Sequence, residues 1–164
     1  MIDLQIRAAM LDVLGDLASG SAMVVGVSGG ADSIALLRAA VHVAAEREWH
    51  VHAVIVDHAL QNDSAVVAQH AATIARGLEP TSVKVVAVEV ATGPGHGGVE
   101  AAARTARRAA LQVAAAELGA SAILLGHTRD DQAESVLLGL ARGSGARSLS
   151  GMRECDGIWR RPLL

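Results

Sequence analysis

Apolar residues along the chain alternate between two periods. Ile6, Met10, Val13, Leu14 and Leu17 recur at helical spacing and predict an amphipathic helix over 2–18. A β-favouring run at 22–27 predicts a strand. From 33 to about 47 the apolar positions lie nearly all round, with only Arg38 and His42 interrupting before Glu46, which predicts a helix buried against a sheet. The alternation continues with a strand at 51–56 and a helix at 63–78, with Asp63 as its N-cap and Val66, Val67, Ile74 and Leu78 facing inward. Pro80 ends that helix. A strand at 83–90, an alanine-rich helix at 99–118, a strand at 121–125 and a helix at 130–142 complete the series, and the glycine-rich stretch 91–98 is expected to be a mobile loop.

Strands alternating with helices imply an α/β domain: a doubly wound, mainly parallel sheet of about five strands with helices on both faces. In such sheets a ligand sits outside the carboxyl ends of the strands. The loops that follow the first, second and fourth strands, 28–33, 57–61 and 126–131, meet at that edge and carry the unusual polar residues.

The loop after the first strand is the most informative. Ser28-Gly29-Gly30-Ala31-Asp32-Ser33 joins four β-favouring residues to a long apolar segment, so it reads as strand, tight turn and helix N-terminus. Two adjacent glycines let backbone approach a ligand, and the unpaired N–H groups of a first helical turn attract an anion. Ser28 and Ser33 add hydroxyls. Asp32 sits beside a phosphate comfortably only if a cation or a positive neighbour intervenes, and it is read as a Mg²⁺ partner. A Walker A loop is excluded, because Lys84 is the only lysine and lies far from the loop. The spacing of Gly26, Gly29 and Gly30 does not make a dinucleotide fingerprint either.

Two further clusters stand out. In Gly126-His127-Thr128-Arg129-Asp130-Asp131-Gln132-Ala133-Glu134, the carboxylates Asp130, Asp131 and Glu134 share a helix side. Favourable contact with a helix dipole accounts for acidic residues there. Beside a phosphate loop the same set can also hold a second Mg²⁺ contact or a cationic substrate group. On the alanine-rich helix, Glu100, Arg104 and Arg108 recur every fourth residue with Arg107 beside them: a solvated face with one Glu–Arg pair, or a face from which Arg104 and Arg107 approach phosphates.

Composition adds limits. At 164 residues, 51% hydrophobic and without Phe or Tyr, the chain suits one domain with a core of Ala, Val, Leu and Ile. It has no apolar run long enough for a bilayer and no signal peptide, so no membrane partner and a cytoplasmic location are expected. Cys155 is the only cysteine, which argues against sulfur transfer and a cysteine-built cluster. Residues 1–100 carry a net −6 and residues 101–164 a net +3, so a modest basic face lies in the last part. The histidines give no convincing zinc spacing. The sequence leaves the oligomeric state open, a homodimer among the options.

The loop 28–33 resembles the SGGxDS pyrophosphate loop of the PP-loop ATP pyrophosphatases, which split ATP between the α and β phosphates and attach AMP to a carbonyl oxygen. The resemblance narrows with Val56-Asp57-His58-Ala59-Leu60, Glu100-Ala101-Ala102-Ala103-Arg104, the 126–135 stretch, Arg142-Gly143-Ser144-Gly145 and Arg161-Pro162-Leu163-Leu164, in that order. Together they resemble the N-terminal catalytic domain of the tRNA(Ile)-lysidine synthase family. The resemblance implies a ligase that adenylates the C2 carbonyl oxygen of the wobble cytidine in a tRNA(Ile) with a CAU anticodon, after which free L-lysine displaces AMP. It implies that Ser28, Gly29, Gly30, Ala31 and Ser33, with His58 and Gly126, hold ATP and that Asp32 holds Mg²⁺. Arg104, Arg107 and His127 would lie near the phosphates or the adenylated base, and Asp131 and Glu134 would position Mg²⁺ or the lysine ammonium. The chain departs from the family at Gln61, Arg108 and Ser135, where Arg, Tyr and Thr are usual. The family's helical tRNA-gripping domains are expected to lie outside residues 1–164.

Overall fold

The computed structural model describes residues 4–59, 63–90, 98–141 and 151–164. The Arg142–Gly145 stretch, the 91–97 part of the glycine-rich loop, Leu60 and Gln61 fall outside them. The elements run α1 (Leu4–Leu14), β1 (Ala22–Val27), α2 (Ala31–Arg47), β2 (His50–Asp57), α3 (Ser64–Arg76), β3 (Ser82–Ala87), α4 (Val99–Glu117), β4 (Ala120–Leu125), α5 (Arg129–Ala141), β5 (Cys155–Asp156) and β6 (Trp159–Arg160). They build a six-stranded sheet in the order β3-β2-β1-β4-β6-β5, parallel except for the β5–β6 pair. The chain winds outward from β1 through β2 to β3, then crosses back over α4 to lay β4 on the other side of β1. The direction of winding therefore reverses between β1 and β4, and a crevice opens beyond their carboxyl ends.

Strand periodicity divides the core in two. Met23, Val25 and Val27 of β1, Val51, Ala53 and Ile55 of β2, and Ala122 and Leu124 of β4 point to the face covered by α1, α2 and α3. The alternate residues Val24, Val54, Ile123 and Leu125 point to the other face, against Leu111, Ala114 and Ala115 of α4 and against Trp159. Met10, Val13 and Leu14 of α1 and Leu36, Leu37 and Val43 of α2 are buried, as the helical spacing predicts.

Two expectations are corrected. In α3 the inward residues are Ala68, Ala71, Ala72 and Ala75, while Val66, Val67 and Ile74 are exposed and Leu78 is only partly buried. A helix lying close on a sheet has room for methyl groups and not for branched side chains, so the alanine face wins over the more hydrophobic one. Asp63 precedes α3 as expected but makes no side-chain cap hydrogen bond. The second correction concerns the strand count, six where about five were expected, because the C-terminal tail forms β5 and β6 and extends the sheet beside β4. Arg160 and Arg161 are buried there despite their charge. Arg160 donates through Nε to the Val13 carbonyl (2.8 Å), through Nη2 to Asp16 (2.9 Å) and through Nη1 to the Gly157 carbonyl. These bonds tie the last strand to α1.

Candidate active site

Gly29 has φ +88°, a left-handed conformation that glycine adopts without strain, and the turn it makes aims the chain into α2. A Cβ at this position would come within 3.2 Å of the Ala71 Cβ, so the loop rests directly on α3. Ser28 and Ser33 fix its shape from below. The Ser33 hydroxyl, which is buried, donates to the Gly30 carbonyl (2.8 Å) and accepts from the Ser28 N–H and Ser28 hydroxyl (both 3.2 Å). Gly30 caps α2 with extended backbone and no side-chain cap bond, leaving first-turn N–H groups directed outward beside Asp32.

The loop after β4 closes on this turn. A Cβ at Gly126 would lie 3.2 Å from the backbone of Asp32 and Ser33, so glycine lets the two loops touch. Beyond it Thr128 and Asp131 bond reciprocally at the start of α5: Asp131 Oδ2 accepts from the Thr128 N–H (2.7 Å) and hydroxyl (3.1 Å), while the Asp131 N–H donates to Thr128 Oγ1 (3.4 Å). This is a capping arrangement with aspartate in the return position. It orients the Asp131 carboxylate through Oδ2 and gives Oδ1 no hydrogen bond among the described residues.

Three adjoining cavities share the crevice, and Arg107 lines all of them. One, about 200 Å³, lies over the turn and is bounded by Ser28, Gly30, Asp32, Ser33, Gly126, His127 and Asp131. A second, about 290 Å³, runs along the ends of β1 and β2, with an apolar floor of Val27, Ile55, Val56, Val67 and Ala68 and with Asp57 and His58 at its rim. The third, about 220 Å³, lies between α4 and β4 and is walled by His58, Arg104, Arg107, Arg108 and His127. Gly29 and Ala31 shape the turn without lining these spaces. Glu134 is exposed one turn along α5 and lines none of them.

The electrostatics are dominated by positive charge. No ion pair joins Glu100 to Arg104, and Arg104, Arg107, Arg108 and Arg161 have no carboxylate partner among the described residues. Burial, followed by the nearby guanidinium of Arg161, pushes the His127 imidazole down to about 4. Burial and then Arg107 lower His58 as well. Both rings are neutral near pH 7, and the buried Nδ1 of each has no partner among the described residues. Burial lowers Arg107 and Arg161 too, each further opposed by neighbouring arginines. Like charges brought together without counter-charge make a seat for an anion.

The residues fit a nucleotide with a magnesium ion. Asp32 and Asp131 face the same 200 Å³ cavity, and the described residues hold no cluster of three metal-ligating side chains that would cage an ion by themselves. Mg²⁺ characteristically takes one or two carboxylates and completes its shell with phosphate oxygens and water. The sequence had marked Ser28, Gly30, Asp32, Ser33, His58, Arg104, Arg107, Gly126, His127 and Asp131, which the structure brings to one crevice. It had not marked the apolar floor, Arg161, or Arg108 as part of the wall. The helical spacing of Arg104 and Arg108 was the available signal for the last.

A parallel α/β sheet with a glycine turn at its switch point, two carboxylates on one cavity and a basic wall is the arrangement of a nucleotide-binding domain. The chain belongs to the PP-loop domain family, whose pattern matches residues 2–164. It is 50% identical over 159 residues to the tRNA(Ile)-lysidine synthase of Thermobifida fusca, a match covering 97% of this chain and 48% of that protein. To the tRNA(Ile)-lysidine synthase of Nocardia farcinica it is 55% identical over 143 residues, covering 87% of this chain and 42% of the other. The chain thus spans about half the length of the curated relatives it matches. Among solved structures, the U34-tRNA thiolase NcsA from Methanococcus maripaludis, determined with its 4Fe–4S cluster, superposes with a TM-score of 0.74 at 18% identity. That match covers 97% of this chain and 57% of that one, and supports a common fold. No described helix is long and apolar enough to cross a membrane.

Proposed function

We propose that residues 1–164 form the ATP-binding catalytic domain of a tRNA(Ile)-lysidine synthase, with the tRNA-gripping domains outside this chain. The observation that carries the reading is the convergence of three cavities on Arg107, which suits ATP and its acceptor: the nucleoside against the apolar floor, its phosphates over the glycine turn, and an acceptor base between α4 and β4. The identities near 50% to proteins named for this activity supply the substrates.

In this reading the turn at Ser28, Gly30 and Asp32 holds the phosphates, and Arg107 bridges nucleotide and acceptor. The cytidine O2 attacks the α-phosphorus, and the bond to the β-phosphate oxygen breaks, releasing pyrophosphate. The ε-amine of lysine then attacks C2, loses a proton and expels AMP together with the former O2. Asp32 and Asp131 would hold Mg²⁺, which would supply counter-charge for the pyrophosphate leaving group. Arg107 stabilises the departing phosphates, Arg104 lies on the side of the adenylated base, and the neutral His127 accepts or relays the proton shed by the amine. Glu134, at the exposed end of the acidic set, attracts the lysine ammonium on approach.

The test is to incubate the full-length protein with ATP, Mg²⁺, radiolabelled lysine and tRNA(Ile) bearing a CAU anticodon. Lysine incorporated into the tRNA, with AMP and pyrophosphate released, is the expected result. Incorporation of sulfur, or product formation independent of lysine, overturns the reading.

A further inference from the structure

Arg108 stands where the family resemblance leads one to expect tyrosine, and its surroundings give the substitution a use. Its guanidinium carbon lies 4.2 Å from the ring centroid of Trp159, which is itself buried in the core beside Leu111 and Val24. A guanidinium laid flat on an indole keeps its edge donors free and loses little freedom when they engage a ligand. Trp159 belongs to β6, so the short C-terminal strand fixes the position of a side chain on α4. Arg104, one turn earlier on α4, lines the same 220 Å³ cavity, whose lining includes no carboxylate.

The phosphate-sized cavity over the glycine turn is lined by Arg107 and by neither Arg104 nor Arg108. These two arginines therefore exceed what the nucleotide phosphates need. Arg161 is almost wholly buried nearby; its guanidinium is anchored to the Arg153 carbonyl (2.6 Å), and its Nε has no partner among the described residues. Charges so placed repel one another until an anion arrives.

We propose that Arg104 and Arg108, the latter positioned by Trp159, form a second anion seat that takes a backbone phosphodiester of the RNA acceptor next to the reacting base. The seat rests on the reading that the acceptor is RNA. Its chemistry, a phosphate oxygen between two guanidiniums, would equally suit a phosphate of ATP, and the experiment separates the two sources. Binding of a fluorescein-labelled RNA stem-loop with a CAU loop to the full-length protein is measured across a salt titration, and ATP binding is measured in parallel. Arg108→Met keeps the aliphatic stem on Trp159 and removes the charge. It should weaken RNA binding about 5- to 10-fold and reduce the log–log salt slope by about 0.7 to 0.9, the loss of one phosphate contact, with ATP affinity within about twofold. Arg108→Lys should restore most of the slope.

An unchanged salt slope in Arg108→Met overturns the seat. So does an equal loss of ATP affinity, which would assign the arginine to the nucleotide, and so does a wild-type protein that binds ATP without binding the RNA. If the slope shifts as expected while lysine incorporation fails, the seat stands and the wider functional reading falls.

Discussion

The side-chain amide of Gln132 exchanges two hydrogen bonds with the backbone of Met152: Nε2 donates to the carbonyl (3.2 Å) and Oε1 accepts from the N–H (2.5 Å). Gln132 follows the two aspartates at the start of α5, and Met152 opens the segment that leads into β5. One residue of the acidic stretch therefore holds the C-terminal tail against the helix that carries Asp131.

Gln132→Ala removes both bonds and leaves two backbone groups to find other partners, which should cost about 1–3 kcal/mol of stability. Gly151→Ala acts on the same clasp from the other side. At φ +65° an added Cβ would lie 2.8 Å from the Gln132 amide, so this variant should destabilise by a similar amount. Urea denaturation with constant m-value is the measurement; two unaffected midpoints would show that the clasp contributes nothing.

Arg160→Met should be the most destabilising of the tail variants, by about 2–4 kcal/mol, because it strips hydrogen-bond donors from the Val13 and Gly157 carbonyls in a buried setting. Its partner Asp16 is largely exposed, so Asp16→Asn should change stability by less than about 1 kcal/mol. Thermal melts of the two variants side by side distinguish carbonyl pairing from the ion pair.

Asp32→Asn leaves the fold intact, since the carboxylate is exposed and makes no hydrogen bond that shapes the turn. ATP-dependent pyrophosphate exchange in the presence of acceptor should fall about 10²-fold or more, with the melting temperature unchanged. Gly126→Ala should lower nucleotide affinity instead, because the added Cβ would come within 3.2 Å of the Asp32 and Ser33 backbone and press the two loops apart.

The pH dependence follows from His127. Its imidazole is pushed from an ordinary value near 6.5 down to about 4 in the folded protein, so below pH 6.5 the unfolded chain binds the proton more readily. Stability is at its full value above about pH 6.5 and falls as pH drops toward 4, with His58 acting in the same direction. His127→Gln should flatten that fall in a pH series of denaturant midpoints. A slope identical to wild type would assign the acid sensitivity to other groups.

What was legible in the sequence was local. The glycine turn, the first turn of α2 and the arginine spacing of α4 are each set within a few residues, and their chemistry follows from that short range. The alternation of elements gave the parallel sheet for the same reason. The inward face of α3 was not legible, because hydropathy favours valine where the sheet admits only a methyl group. Strands β5 and β6 escaped too: two residues each, one of them Arg160, carry no periodicity, and they form because β4 offers an unpaired edge and α1 offers carbonyls. The central position of Arg107 depends on three loops meeting and has no signature in its own neighbourhood.

The buried Ala71 methyl stands 3.2 Å from where a Cβ on Gly29 would lie, so α3 leaves little room beneath the glycine turn. Neither residue need touch a ligand for this to matter. Added bulk at position 71 acts as a shim: Ala71→Val should press on the turn more than Ala71→Ser, and nucleotide affinity should change in step with a residue buried on the far side of the loop. In a core without phenylalanine or tyrosine, the precision of the site is calibrated by its smallest side chains.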